Sequence, residues 1–345
     1  MPDMLSRLQG SLLGVEIGDA LGMPWEMMTA EEISTATDGR GVTTFHEPSK
    51  ARIAGVRNLQ AGDTTDDTAA TRAITKTLIT CRGYDHVLCA REMIRAMEES
   101  PFGWGKTTKN SLQTIADYLS AHPDATAEEL PKPEGNGCGN GVAMRIAAIP
   151  HVWAYLPGDK SLREIIFQNG MMTHPDPRAS SAAFAVAAVI DIIRVHDLQS
   201  LPPNLILAEV IHVCESVERN IGILSAYPET MTTQLCVILE EGLLKDPEAL
   251  RQRIGTGCFS MQSVPFAIAT ALRNLTDFRA GVLEAVNAGG DTDTNASIVG
   301  AIIGTNVGVE GIPEEWRTFQ EAYQVPLRQA RELHFFSLSM QNMWP

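Results

Sequence analysis

The chain is short of aromatic residues, cysteines, basic charge and long apolar runs, and each shortage narrows what it can be. Aromatics make up 6% of its 345 residues, and alternating Val, Ile, Thr or aromatic runs joined by hairpin turns are almost absent, which argues against β architectures. The six cysteines (Cys81, Cys89, Cys138, Cys214, Cys236, Cys258) form no C-x-x-C pair. They read as reduced thiols in a cytoplasmic setting, not as a disulfide framework or a zinc site. The longest small and apolar run, Ala182 to Ile190, stops at Asp191 and is about half of what a bilayer span requires. Glu16 and Asp19 interrupt the apolar stretch near the start, so no signal peptide is expected. Lys and Arg number 27 against 42 Asp and Glu, a net charge of −15. That balance repels a phosphate backbone and an anionic membrane face, and excludes non-specific nucleic-acid binding. No Gly-x-Ser-x-Gly elbow, His-Glu-x-x-His or Walker loop occurs, which leaves serine-hydrolase, zinc-protease and P-loop chemistry without support.

What is abundant is helical periodicity. Hydrophobic residues make up 44% of the chain, and they recur at spacings of three and four, as in Phe184, Val186, Val189, Ile190 and Ile193. The pattern predicts an all-α multi-helix bundle. Its helices are expected over about 4–22, 65–81, 85–98, 109–120, 141–156, 178–196, 205–219, 231–243, 262–273, 278–287, 293–308 and 325–340. Polar stretches at 30–64, 121–141 and 156–163 read as loops, and no Ser/Gly- or Pro-rich linker divides the chain. Residues 1–345 are therefore expected to form a single domain. Two stripes of small residues stand out: Gly10, Gly14, Gly18 and Gly22, and Ala296, Gly300, Gly304 and Gly308. Glycine costs about 0.5–1 kcal/mol per helical position relative to alanine. Four in register need a compensating gain, either backbone-to-backbone approach of the two helices deep in the core or accommodation of bulky neighbours.

The chemistry-bearing segments lie where loops feed helices. Gly62-Asp63-Thr64-Thr65-Asp66-Asp67-Thr68 precedes a helical run, and so does Gly289-Gly290-Asp291-Thr292-Asp293-Thr294-Asn295. Hydroxyls and carboxylates at a helix start satisfy orphan N–H groups, so either segment alone reads as a cap. Together they offer four carboxylates and two hydroxyls, an all-oxygen set suited to a binuclear Mg²⁺ or Mn²⁺ site. Without a cation, four clustered carboxylates would repel one another and raise their own pKa values. Glu26, on the Pro24-Trp25 turn, is either an acid/base facing a cleft or a solvated surface carboxylate. Gly135 to Gly141, with four glycines, opens onto Met144 and Arg145 and suits close approach of a phosphate to backbone N–H groups. Gly103 belongs to a weaker glycine turn of the same kind. His174, ahead of a long helix, is a cap, a core residue or a ligand contact.

In order along the chain, Gly18-Asp19-Ala20-Leu21-Gly22 with Glu26, Thr65-Asp66-Asp67-Thr68, Gly139-Asn140-Gly141 with Met144-Arg145, Thr173-His174 and Gly290-Asp291-Thr292-Asp293-Thr294 resemble the motifs of the ADP-ribosylglycohydrolase family. The resemblance runs from about residue 5 to about residue 317. It implies a single-domain all-α fold with two Mg²⁺ or Mn²⁺ ions in a cleft, and hydrolysis of the glycosidic bond between ADP-ribose and a protein side chain or small acceptor. By the same resemblance Thr65, Asp66, Asp67, Asp291, Asp293 and Thr294 are the metal ligands and Glu26 is the acid/base. Gly103, Gly139, Asn140, Gly141, Met144 and His174 then contact substrate, and a cognate ADP-ribosyltransferase is the implied partner enzyme. Two other readings stay open: an ADP-ribose-binding or transferase-blocking protein without turnover, and a dimetal phosphohydrolase acting on a nucleotide diphosphate. Cys138 stands where several relatives place an aromatic or polar residue, and the acceptor is not encoded in the shared motifs.

Overall fold

Helices dominate because the apolar positions recur with helical period and few β-branched runs compete. The computed structural model describes residues 2–156, 161–196 and 201–341. Its α-helices, in order, are α1 (Met4–Gly22), α2 (Ala30–Ala36), α3 (Asp66–Cys81), α4 (His86–Glu99), α5 (Lys106–Ala121), α6 (Ile149–Val152), α7 (Leu162–Gly170), α8 (Pro177–Val195) and α9 (Pro203–Asn220). There follow α10 (Ile223–Ala226), α11 (Met231–Glu240), α12 (Pro247–Ile254), α13 (Ser260–Arg273), α14 (Phe278–Asn287), α15 (Thr292–Val307), α16 (Glu314–Arg317) and α17 (Gln324–Gln341). Among the described residues no strand forms. Two isolated bridges occur, Thr29 with Gly289 and Gly139 with Phe259. No helix of the described residues is long and apolar enough to cross a membrane, and all six cysteines are free.

The centre of the bundle is the pair α1 and α15. Every residue of α1 from Ser6 to Gly22 is buried, and α15 is buried from Thr292 to Thr305, as expected of helices with no polar face. The two glycine stripes meet antiparallel. A Cβ on Gly10 would strike the Gly304 carbonyl, one on Gly14 the Gly300 carbonyl, one on Gly18 the Ala296 backbone and one on Gly22 the Asp293 backbone. Hydroxyls of α15 bridge the remaining gap: Thr292 Oγ1 donates to the Gly22 carbonyl at 2.8 Å and Ser297 Oγ to the Val15 carbonyl at 3.0 Å. The compensation for the glycines is thus backbone contact between the two helices. Because the N-terminus of α15 abuts the C-terminus of α1, this pairing delivers Asp291 and Asp293 beside Glu26.

Several expectations need correction. The helix expected over 141–156 is broken into a 3₁₀ segment Asn140–Arg145, the short α6 and a 3₁₀ turn Trp153–Tyr155. Pro150 falls in the first turn of α6, where its missing N–H is tolerated. The side chains at both ends of the 3₁₀ segment are held by separate partners, Asn140 by Asp291 and Arg145 by Asn169. The stretch 30–64 is not all loop. Thr29 and Glu32 form a capping box that starts α2, and the same device at Ser161 and Glu164 starts α7. Of the expected loop 156–163, residues 157–160 lie outside the described residues.

Candidate active site

The first half of the site is the start of α3. Thr65 occupies the N-cap position, yet its side chain caps nothing. The cap comes from α1: Asp19 accepts hydrogen bonds from Thr65 N (2.9 Å), Thr65 Oγ1 (2.7 Å), Thr68 N (3.1 Å) and Thr68 Oγ1 (2.7 Å). One buried carboxylate satisfies two orphan N–H groups and fixes both hydroxyl protons. One turn earlier, Glu16 holds Arg72 of α3 through two bonds of 2.6 Å, so α1 and α3 are pinned in register. Asp66 and Asp67, between the two threonines, are left unengaged by the cap.

The second half is the turn into α15. Met27 N donates to the Gly290 carbonyl and Gly290 N to the Met28 carbonyl, both at 2.7 Å. The Glu26 turn is thereby laid along Gly289-Gly290. Gly290 has φ +83°, and a Cβ there would strike the Thr256 backbone, so only glycine fits. One oxygen each of Glu26, Asp291 and Asp293 lies within 4.8 Å of the others. Asn140 Nδ2 donates to Asp291 Oδ2 at 2.9 Å and also bonds Ser263 Oγ, which in turn donates to Asn295 Oδ1 at 2.7 Å. Across the cleft, Thr294 Oγ1 donates to Asp67 Oδ2 at 3.3 Å, while Asp67 Oδ1 is buried with no partner.

Crowded acids raise one another's pKa values. Burial, reinforced by the neighbouring Asp19, Glu26 and Asp291 carboxylates, pushes Asp66 well above the carboxylate range. Burial with Asp19, Asp66 and Asp291 does the same to Asp67, and burial with Glu26, Asp291 and Asp67 to Asp293. Glu26 is pushed up to about 8 by burial and by Asp291 and Asp19. No Lys or Arg hydrogen-bonds Asp66, Asp67, Asp291 or Asp293 among the described residues. Such a cluster is stabilised by proton uptake or by a hard cation.

Glu26, Asp66, Asp67, Asp291, Asp293 and Thr294 all face one cleft of about 290 Å³, as do Gly103, Gly139, Asn140, Gly141, Met144 and His174. Thr65 is the exception. It lies behind Asp66, buried against Asp19, and adjoins Gly103. Gly103, at φ +84°, must lack a Cβ because one would meet Asp66 Oδ1. The His174 ring lies against Gly139 and Gly141, where a Cβ would come within 3.4 and 3.1 Å of it. Burial and the Arg145 charge push His174 down to about 3, so its ring is neutral. Beyond Lys106 and Thr107 the cleft meets a larger groove of about 810 Å³ between α5 and residues 131–137.

Sequence reasoning left Asp19, Asn295 and Ser263 without a role, picked out the segment 102–108 only as a weaker glycine turn, and did not foresee Cys258 at the cleft wall. For Asp19 a signal existed: an acid beside Gly18, on a stripe read as deep core, needs buried donors. The others announce themselves only through contacts distant in sequence.

Comparison with known proteins places the chain in a family. The family model described as ADP-ribosylglycohydrolase matches residues 1–335. ADP-ribosylhydrolase ARH3 of Xenopus tropicalis is 27% identical over 354 residues, covering 96% of this chain and 95% of its own. The chicken (Gallus gallus) protein of the same name is 24% identical, with 95% and 93% covered. An uncharacterised Escherichia coli protein, YegU, is 26% identical with 89% of each chain covered. A solved structure described as an ADP-ribosylglycohydrolase-related protein complex superposes with a TM-score of 0.63 at 23% identity, covering 98% of this chain and all of that one. With a family match that runs nearly end to end, this chain belongs to the ADP-ribosylglycohydrolase family.

Proposed function

We propose that the protein is a dinuclear-metal-dependent hydrolase that cleaves the glycosidic bond between ADP-ribose and a modified protein side chain or small acceptor, releasing ADP-ribose. The observation that carries the reading is the acidic cleft, in which Asp67 Oδ1 is buried and unpartnered while Glu26, Asp291 and Asp293 converge within 4.8 Å. The donor set fits two hard cations, Mg²⁺ or Mn²⁺, held by Asp66, Asp67, Asp291, Asp293, Thr65 and Thr294. Thr65 could serve although its hydroxyl proton is given to Asp19, because a donating hydroxyl keeps its own lone pairs. When bound, the ions act as Lewis acids that orient ribose hydroxyls and water.

The chain's own residues do the rest. Glu26 moves the proton, protonating the leaving group or taking a proton from water at its carboxyl oxygen. The surrounding carboxylates stabilise the positive charge that develops at the anomeric carbon in an oxocarbenium-like transition state. Gly139 and Gly141, bare of side chains, let the diphosphate approach the backbone, and Met144 and His174 line its path. A ligand the length of ADP-ribose extends past Lys106 into the larger groove. The reading takes residues 1–345 as one domain, since the cleft draws on segments from Glu26 to Thr294.

The test is release of ADP-ribose from arginine-, serine- and guanidine-linked substrates in Mg²⁺, Mn²⁺ or EDTA. Metal-dependent release from one linkage, lost in Asp67→Ala and Asp293→Ala together with metal-dependent thermal stabilisation, is the expected result. Release of AMP would point instead to phosphohydrolase chemistry, and binding without turnover to a binding role.

A further inference from the structure

One buried cation is used by nothing so far. Arg145 is fully buried, and no carboxylate hydrogen-bonds it among the described residues. Its Nε donates to Asn169 Oδ1, and its Nη2 donates to both the Asn169 carbonyl and Thr173 Oγ1, all at 2.9 Å. A buried guanidinium with no carboxylate hydrogen-bonded to it is expensive, the Asp66 charge only partly offsetting its burial, and it stands one residue beyond Met144 at the cleft wall. The same 3₁₀ segment begins at Asn140, which holds Asp291, so two turns of chain tie Asp291 to the Thr173–His174 side of the cleft.

The consequence runs through Thr173. This residue is fully buried, and its hydroxyl has two hydrogen-bond partners, Arg145 Nη2 and His174 Nδ1 at 2.9 Å. Arginine can only donate, so the threonine oxygen accepts from it. The threonine proton then has one place to go, the lone pair of His174 Nδ1. A histidine that accepts at Nδ1 carries its own proton at Nε2, and Nε2 is on the side of the ring that lies against Gly139 and Gly141. The backbone of Thr173 is itself held, its carbonyl accepting from Ser111 Oγ at 3.1 Å. Asn169 is oriented in turn: with Oδ1 on Arg145, its Nδ2 donates to Tyr84 Oη at 3.2 Å.

We infer that Arg145 is a positioning residue which, through Thr173, locks His174 in the Nε2–H tautomer, so that the cleft presents a neutral N–H donor to an anionic or ribose oxygen of the bound ligand. The inference rests on the reading of the cleft as an ADP-ribose site. The low pKa of His174 is consistent with it, since a ring that stays uncharged and donates from one fixed nitrogen distinguishes an oxygen acceptor from an N–H donor at any neutral pH.

The test uses the full chain labelled with ¹⁵N-histidine, read by long-range ¹H–¹⁵N correlation without ligand, beside calorimetric titration with ADP-ribose in Mg²⁺. In the unsubstituted protein His174 is expected to show a protonated Nε2 and an Nδ1 shifted as a hydrogen-bonded acceptor. Thr173→Val, which keeps the shape and removes the proton, is expected to move the Nδ1 resonance and weaken ADP-ribose about fivefold, the worth of one ordinary hydrogen bond. Thr173→Ser is expected to restore both. A wild-type Nδ1 that carries the proton, or an Nδ1 resonance unchanged in Thr173→Val, overturns the proposal. Should the resonances behave as expected while ADP-ribose fails to bind any of the proteins, the substrate reading falls and the tautomer lock stands.

Discussion

Asp19 is the residue whose replacement tests the architecture most sharply. Its carboxylate takes four hydrogen bonds from Thr65 and Thr68, three on Oδ2 and one, from Thr65 Oγ1, on Oδ1. Asp19→Ala leaves four buried donors without an acceptor, at about 1–3 kcal/mol each. Part of that is returned, because Asp19 is also a like charge raising the pKa values of Asp66 and Asp67. A net loss of about 4 kcal/mol follows, equivalent to roughly 5–10 °C in Tm for a chain of this size. Asp19→Asn separates the cap from the site. Its amide oxygen replaces Oδ2 and keeps three bonds, while its NH₂ replaces Oδ1 and meets the Thr65 hydroxyl donor to donor. The hydroxyl must turn, sending its proton toward Asp66 and the cleft. The expected result is a loss of only about 1 kcal/mol in stability with a much larger loss of Mn²⁺ binding. Thermal unfolding with and without Mn²⁺, together with Mn²⁺ calorimetry, measures both. Wild-type Mn²⁺ affinity in Asp19→Asn, or wild-type stability in Asp19→Ala, would refute the reasoning.

Three further outcomes are expected. Gly14→Ala and Gly300→Ala, which drive a Cβ into backbone, should each cost about 1–3 kcal/mol or more in urea unfolding, while Gly55→Ala, with open space around it, should be neutral; equal stability of all three would contradict the helix pairing. In the metal-stripped protein Glu26 holds its proton up to about 8, whereas the unfolded chain releases it near 4.5. Raising the pH from about 4.5 to 8 therefore favours unfolding, so the urea midpoint in EDTA should fall across that window, and a rising midpoint would exclude a protonated Glu26. Glu26→Gln should lower turnover by about 10²–10⁴ with the Mn²⁺-dependent Tm shift largely kept, since the other carboxylates remain; full activity in this variant would remove Glu26 from the chemistry.

Long helices with unbroken periodicity were legible in the amino-acid order: α1, α3, α8, α14 and α15 begin and end within a residue or so of where the apolar spacing places them. The meeting of the two glycine stripes was legible too, because four bare positions in register have few structural uses. The segment 140–155 was not, since its apolar content mimics a helix while Pro150 and the separate anchors of Asn140 and Arg145 break it. Short helices α2 and α7 escaped because they lack enough turns to show a period, although their capping boxes are written plainly. At the site, the motifs picked out carboxylates that the fold does gather in one cleft. They could not reveal Asp19 as the cap of α3 or Arg145 as the partner of Thr173, because nothing local links positions 46 or 28 residues apart.

The pairing of α1 with α15 also dictates when this molecule can come into being. Asp293, whose backbone touches Gly22, lies some 270 positions downstream of it. At about 5–20 residues per second on the ribosome, α1 waits roughly 15–60 s for its mate. During that time α1 has α3 to pack against but not the helix that covers its glycine stripe. The nascent chain therefore carries α1 with its glycine face uncovered, and neither the α1–α15 seam nor the acidic cleft can form until α15 has emerged. Assembly is committed late and all at once, so a ribosome that stalls ahead of Thr292 releases a chain with half a cleft and an uncovered centre, marked for chaperones or for degradation.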